Sequence, residues 1–378
     1  VRDWQKKNPG IKVILEHTPY GGYASKILTR IAGGDAPDII AAEVGLFTNF
    51  WAKGAFLELS SFIKQDENFS IDRFYGPIAS HFTVDEKVYG IPRDVAPFAC
   101  VYYNKKLFDD NNIPYPSDDW DWNDLLDVAR KLTLRDDQGR VQRYGFYSWA
   151  WQNFVLSNGG SLVDDVKNPT KIALDSPESR EGLRFYADLI LEHRVSPAPS
   201  ALIDAGMGVQ MMFMTGRLAM LGSGIWETPA LRKMEGFDWD VAMFPKSPKS
   251  SQRFASGGTA YCILKSCKNP ALAWEVVKAL TSEHAMEQLA STGLAQPSRI
   301  SVAEGDYWAQ SQDKPLNKSM LNEAVKYAVF PPFHQNWREI EELHIKPKLD
   351  LFFNGQAKLE EILPGIVAEG NKLLTKQF

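Results

Sequence analysis

Val88-Tyr-Gly-Ile-Pro92 and Phe98-Ala-Cys-Val-Tyr-Tyr103 are two strand-like runs. Between them Arg93-Asp94-Val95-Ala96-Pro97 breaks the pattern with charge and proline. Working outward, the same alternation of strand and helix signals continues in both directions. Upstream, Tyr23, Ile27 and Ile31 share a helical stripe that Gly33-Gly34 ends, and Asp38-Ile-Ile-Ala-Ala42 is a short apolar strand. Further upstream, residues 1–8 look like a helix stopped by Pro9-Gly10, and Ile11-Lys-Val-Ile-Leu15 reads as a strand. Downstream, Asp121 is a plausible N-cap for a helix whose face carries Trp122, Leu125, Ala129 and Leu132. Ser176-Pro177 and Asn269-Pro270 open two more helices, and the chain from Ala357 on is mostly helical, with Pro364 as a break. Helical and strand patterns that alternate in this way predict an α/β fold.

The chain has 378 residues, which exceeds one hydrophobic core and predicts at least two domains. With 44% hydrophobic and 24% charged residues, disorder and fibrous structure are excluded. The net charge of -5 argues against nucleic acid as a partner. No run is apolar enough to span a membrane, and the opening Val1-Arg2-Asp3-Trp4 is no signal peptide. Cys100, Cys262 and Cys267 make no disulfide framework; buried free thiols are expected, with a Cys262–Cys267 bridge as the alternative. The histidines form no zinc pattern, and Walker A, GxSxG and a complete dinucleotide fingerprint are missing, so no metal or cofactor is expected. That leaves 11 Trp and 12% aromatic residues to be explained by something besides packing.

Several stretches, in order, resemble the maltose-binding type of extracellular solute-binding protein. These are Trp4-Gln-Lys-Lys-Asn-Pro-Gly-Ile-Lys-Val13, Ile31-Ala-Gly-Gly-Asp-Ala-Pro-Asp-Ile-Ile40, Tyr89-Gly-Ile-Pro-Arg-Asp94 with Val101-Tyr-Tyr-Asn-Lys-Lys-Leu-Phe108, Trp120-Asp-Trp122, and Phe213-Met-Thr-Gly-Arg-Leu-Ala-Met220 with Gly224-Ile-Trp226. The pattern begins inside what the resemblance makes the first helix, so either the chain is a piece or its first lobe closes differently. The resemblance implies a two-lobed, periplasmic-binding-protein-like fold of type II, each lobe a sheet flanked by helices, joined by a hinge. Pattern breaks near 93–97, 247–258 and 295–297 then divide the chain into an N-terminal lobe, 1–95 plus 250–297, and a C-terminal lobe, 96–249 plus 298–378. It also implies a monomer that captures sugar for an ABC transporter and docks on membrane permease subunits. Its place would be periplasmic, or extracellular and membrane-anchored as a lipoprotein.

Sugars need paired donors and acceptors for their hydroxyls and flat apolar surfaces for their C–H faces. Trp226, after Gly222-Ser-Gly224, is the first candidate, matching the family's stacking tryptophan; the alternative is a core residue. Trp149 and Trp151 would share a face on a strand and diverge on a helix; at least one is expected in the cleft, against both being core. Asp94 could accept two hydroxyls or pair with Arg93. Glu43 ends a presumed parallel strand, where ligands gather, or is a solvated loop residue. Gly257-Gly258 could bring backbone N–H groups to the ligand or simply turn the chain. Tyr20 is a weaker candidate. Trp4, Trp120, Trp122, Trp239 and Trp274 read as packing, and Arg338 as solvated. A glycosidase would need two placed carboxyl groups that nothing here fixes, so the chain is read as a binder and no enzyme. A glycerol phosphodiester or other small solute is the alternative ligand, disfavoured by the scarcity of cleft cations.

Overall fold

Where the sequence alternates, the structure alternates too. The computed structural model describes residues 1–117, 119–204, 208–250 and 252–376, and gives Tyr20 and Asp204 in backbone only. Helices α1 (Arg2–Lys7) and α2 (Tyr20–Ala32) precede strand β1 (Ile39–Glu43), which runs straight into α3 (Val44–Ala52). Then come β2 (Ile91–Pro97), β3 (Cys100–Asn104), α4 (Trp122–Leu132), β4 (Leu134–Arg135), β5 (Val141–Ser148), α5 (Trp151–Ser157) and α6 (Pro177–Leu191). The remaining elements used below are β6 (Leu218–Ser223), β7 (Trp239–Met243), β8 (Phe254–Ile263), α7 (Pro270–Leu280), β9 (Gln296–Pro297), β10 (Ala328–Val329) and α8 (Leu359–Leu374).

Local chemistry accounts for the starts. The Asp121 carboxylate accepts from the N–H groups of Asn123 and Asp124, and the Asp124 side chain accepts from Asp121 N–H, so α4 opens with a reciprocal cap. Ser176 and Asn269 cap α6 and α7, each with proline in the first turn where no N–H is needed.

Two sheets result. The first has the order β1-β8-β2-β9, with β10 added alongside β8; the second is β4-β5-β6-β3-β7. All pairs in them are antiparallel except β8–β10 and β5–β6. Strands β3, β6 and β7 are buried along their whole length, so helices cover the second sheet. Beneath the first sheet, Phe47, Phe50, Phe56 and Phe82 pack on Ile40, Ala42 and Val95.

Five expectations need correction. Residues 93–97 continue β2 instead of breaking it. Pro97 ends the strand and Pro92 lies at the bulge opposite Thr259 and Ala260, places where a missing N–H costs the ladder nothing. Ile11-Lys-Val-Ile-Leu15 forms no strand; it finds no partner strand, and Ile14 and Leu15 stand exposed. Strand β1 is antiparallel to β8, not part of a parallel set. Helix α8 passes through Pro364, because the one carbonyl that proline deprives belongs to the exposed Glu360. Trp4 lies on α1, which buries no residue. Trp120, Trp122, Trp239 and Trp274 are buried as expected, and all three cysteines are free.

The chain passes between the sheets at β2–β3 and again at β7–β8. Buried Asn153, in the first turn of α5, ties these two passages together. Its Nδ2 donates to the Phe98 carbonyl at 2.7 Å and its Oδ1 accepts from Ala255 N–H at 2.9 Å. Phe98 N–H in turn donates to the Ala255 carbonyl at 2.8 Å. A third connection runs from β10, in the first sheet, through Phe333, whose ring packs on Phe47 and Trp51 of α3 while its N–H donates to the Val166 carbonyl.

Candidate functional site

One side of the site is built from strand register. Glu43, Thr259 and Asp94 are directly paired across β1, β8 and β2, so three neighbouring strands bring them into one row. Asp94 is buried, and its Oδ2 accepts from Arg93 Nε at 2.5 Å. Arg93 Nη2 also reaches Thr259 Oγ1 at 3.4 Å. Asp94 is therefore no free acceptor: the ion pair with Arg93 that competed with its ligand role is present. Glu43 is half-buried and caps α3, its Oε2 accepting from Gly45 N–H at 3.0 Å. Burial pushes the Glu43 carboxyl up, against the pull of the Gly45 and Leu46 N–H groups and of Arg338; the nearby Asp94 charge pushes it further.

The other side is aromatic. Strand β6 ends at Ser223 and Gly224, and the chain turns into the short helix Ile225–Glu227. Trp226 folds back so closely that a Cβ on Gly224 would lie 1.9 Å from its ring, so only glycine fits there. The buried Tyr102 hydroxyl fixes this turn, within reach of the Gly224 (3.2 Å) and Ile225 (3.1 Å) carbonyls and of Thr228 Oγ1 (2.9 Å). The Trp226 ring is 6.1 Å from Trp149 and meets Phe98 edge-on at 5.6 Å; Phe98 meets Trp149 at 4.7 Å. All three rings are half-buried. Trp149 Nε1 donates to Ser223 Oγ (3.4 Å), which donates to Glu227 Oε1 (2.9 Å), and Gln210 Nε2 donates to Glu227 Oε2.

The two sides meet at Phe98. Its ring lies over Gly257 of β8, with Cε1 3.5 Å from where a Cβ would be. Gly258 is a packing glycine: its φ is 152°, and a Cβ would meet Ile78 Cδ1 at 2.6 Å. Both glycines lie inside a paired strand and not in a turn.

Thus Trp226 and Trp149 meet Phe98, Phe98 lies over Gly257, and Gly257 stands two residues along β8 from Thr259, the centre of the row with Glu43 and Asp94. Trp151 does not join them. Strand β5 stops at Ser148 and α5 begins at Trp151, so the two indoles diverge and Trp151 enters the core. The side chain of Tyr20 lies outside the described residues. Sequence reasoning missed Phe98, Gln152 and Glu341, and set Arg338 aside. Gln152 Nε2 donates to Glu341 Oε1 at 3.3 Å, and Arg338 stands close enough to Glu43 to lower its pKa. Gln152 was visible as a polar residue directly after two indoles; nothing local marks Glu341.

A family profile for bacterial extracellular solute-binding proteins matches residues 1–287. The chain belongs to this family. A binding protein of Brucella abortus (strain 2308) is 21% identical over 385 residues, covering 99% of this chain and 88% of the relative. The Escherichia coli (strain K12) ABC transporter periplasmic-binding protein YcjN is 25% identical over 259 residues, 66% of this chain and 56% of YcjN. Among solved structures, the Listeria monocytogenes ABC substrate-binding protein Lmo0181, in complex with cycloalternan, superposes with a TM-score of 0.89 at 25% identity. It covers 100% of this chain and 95% of that one. This solute-binding protein thus shares their two-lobed α/β fold, and among its described residues no helix is long and apolar enough to cross a membrane.

Proposed function

We propose that this solute-binding protein takes a sugar or short oligosaccharide between its two sheets and hands it, unaltered, to the permease of an ABC transporter. The observation that carries the reading is the half-buried Trp149–Trp226–Phe98 cluster set against the Glu43–Thr259–Asp94 row. Indole faces suit the C–H faces of a pyranose, and carboxylates suit its hydroxyls. The cycloalternan held by the Listeria relative is a ligand of this class. Trp226 and Trp149 are the stacking platforms and Glu43 the principal acceptor; Asp94 acts together with Arg93. Arg93 is already engaged by Asp94, and Arg338, the other cation near this side, faces the Glu43 carboxyl, which would repel a phosphodiester.

Residues 1–95 plus 250–297 and residues 96–249 plus 298–378 form the two lobes in this reading, with β10 of the last stretch lent to the first sheet. Closure about the passages at Phe98 and Ala255 lets the solute touch both, as hinge closure does in periplasmic binding proteins. The solute favours the closed form only by the contacts it gains there. The protein works outside the cytoplasmic membrane, in a periplasm or held to the membrane as a lipoprotein. A thermal-shift screen of neutral mono- and oligosaccharides tests the reading. A ligand of the folded form raises the melting temperature, and a panel in which no sugar does so contradicts it.

A further inference from the structure

The aromatic side of the site carries a carboxylate that the reading above does not use. Glu341 lies in Ile340–Ile345, a π-helical turn of a kind frequent at functional sites. Its Oε1 accepts from Gln152 Nε2 at 3.3 Å. Among the described residues this is the one bond the Gln152 amide makes, since its own Oε1 is buried without a partner. Gln152 follows Trp149 and Trp151 in sequence and lies in the first turn of α5. Across the gap, Glu43 is near enough for its charge to push the Glu341 carboxyl up. One carboxylate therefore approaches the same region from each side, Glu43 from the first sheet and Glu341 from the segment that also carries Arg338.

We infer that Glu341, held in place by Gln152, forms a hydroxyl-binding subsite opposite Glu43 that selects an uncharged sugar over an acidic one. The inference rests on the sugar-binding reading above. A carboxylate steadied by one amide N–H keeps lone pairs for two neighbouring sugar hydroxyls. Burial, Glu342 and Glu43 raise this carboxyl to about 7, so near neutral pH it can donate as well as accept. Above about pH 7, where Glu341 is ionised, a carboxylate on the solute at this place would meet its charge, and such like-charge contact is how a site rejects the wrong ligand. Gln152 is a positioning residue here, acting through Glu341.

Calorimetric titration decides the matter. Cycloalternan, maltotriose, mannotriose and D-tagatose serve as neutral probes and trigalacturonate as the acidic one, against wild type, E341Q, Q152A and W226A, each with its ligand-free melting temperature. The wild type is expected to bind at least one neutral probe and to bind trigalacturonate about tenfold more weakly or worse. E341Q is expected to lose about tenfold for the neutral probe and to narrow the gap between neutral and acidic probes; Q152A should lose less. Wild-type binding of trigalacturonate as tight as the neutral probe overturns the selection. E341Q binding the neutral probe within about twofold of wild type while W226A loses it overturns the subsite and leaves sugar binding intact. An E341Q loss that is equal for both probes and accompanied by a lowered melting temperature marks a structural role and also overturns it. A wild type that binds no neutral probe ends the sugar reading itself, and the subsite falls with it.

Discussion

The two sides of the site recognise by opposite means. On the first-sheet side, Glu43, Thr259 and Asp94 sit on paired strands; Asp94 is engaged by Arg93, and Glu43 gives one oxygen, Oε2, to the start of α3 and keeps the other for a solute. On the second, Trp149, Trp226, Gln152 and Glu341 sit on a strand end, a short helix, a helix start and a π-turn. They keep open ring faces and polar atoms with spare capacity. The difference teaches that a carboxylate in the right place is not thereby a ligand group. Engaged groups hold the fold, whereas groups with unused capacity are available to a solute.

This contrast can be broken by substitution. The largest effect belongs to Asp94→Asn, which leaves Arg93 without its buried partner and should cost about 3 kcal/mol of stability, read by chemical denaturation. A change in sugar affinity at unchanged stability would move Asp94 into the binding group. Next, Gly258→Ala forces a side chain onto a φ of 152° and against Ile78, at about 2 kcal/mol, read the same way. On the other side, Trp226→Ala should leave the unliganded melting temperature nearly unchanged and weaken sugar binding about tenfold, roughly 1.4 kcal/mol, by calorimetry.

The smallest effect is a pH dependence. The Glu341 carboxyl, raised by burial and by Glu342 and Glu43, holds its proton up to about 7 in the folded chain, against 4.5 for the free group. Between these values the folded form binds more protons than the unfolded one. Its contribution to stability is therefore full below pH 4.5 and is lost as pH rises to about 7. Glu341→Gln should flatten that decline by about 1 kcal/mol, or about 2–4 °C in melting temperature. A decline of unchanged steepness in the variant would assign it to other groups.

How much of this could be read from the chain follows from the range of the forces involved. The caps at Asp121, Ser176 and Asn269 act within three residues, and they were legible. The turn at Gly222-Ser-Gly224 marked Trp226 for the same reason, because a local steric need left a glycine signature. Residues 93–97 misled because proline and charge usually interrupt strands; a bulge at Arg93, set by pairing with the remote strand β8, made room for Pro92. Ile11-Lys-Val-Ile-Leu15 misled in the opposite sense, since alternation supplies a strand face but no partner. The divergence of Trp149 and Trp151 turned on where β5 yields to α5, a boundary that local pattern sets poorly. Glu341 was invisible, since its neighbours Gln152 and Glu43 reach it only through the fold.

The most direct test is a crystal structure grown with whichever neutral sugar raises the melting temperature most. The account predicts a pyranose ring stacked on Trp226 or Trp149, with its hydroxyls turned to Glu43 and Glu341. A sugar bound with both indoles out of contact and both carboxylates still holding only their protein partners would contradict it.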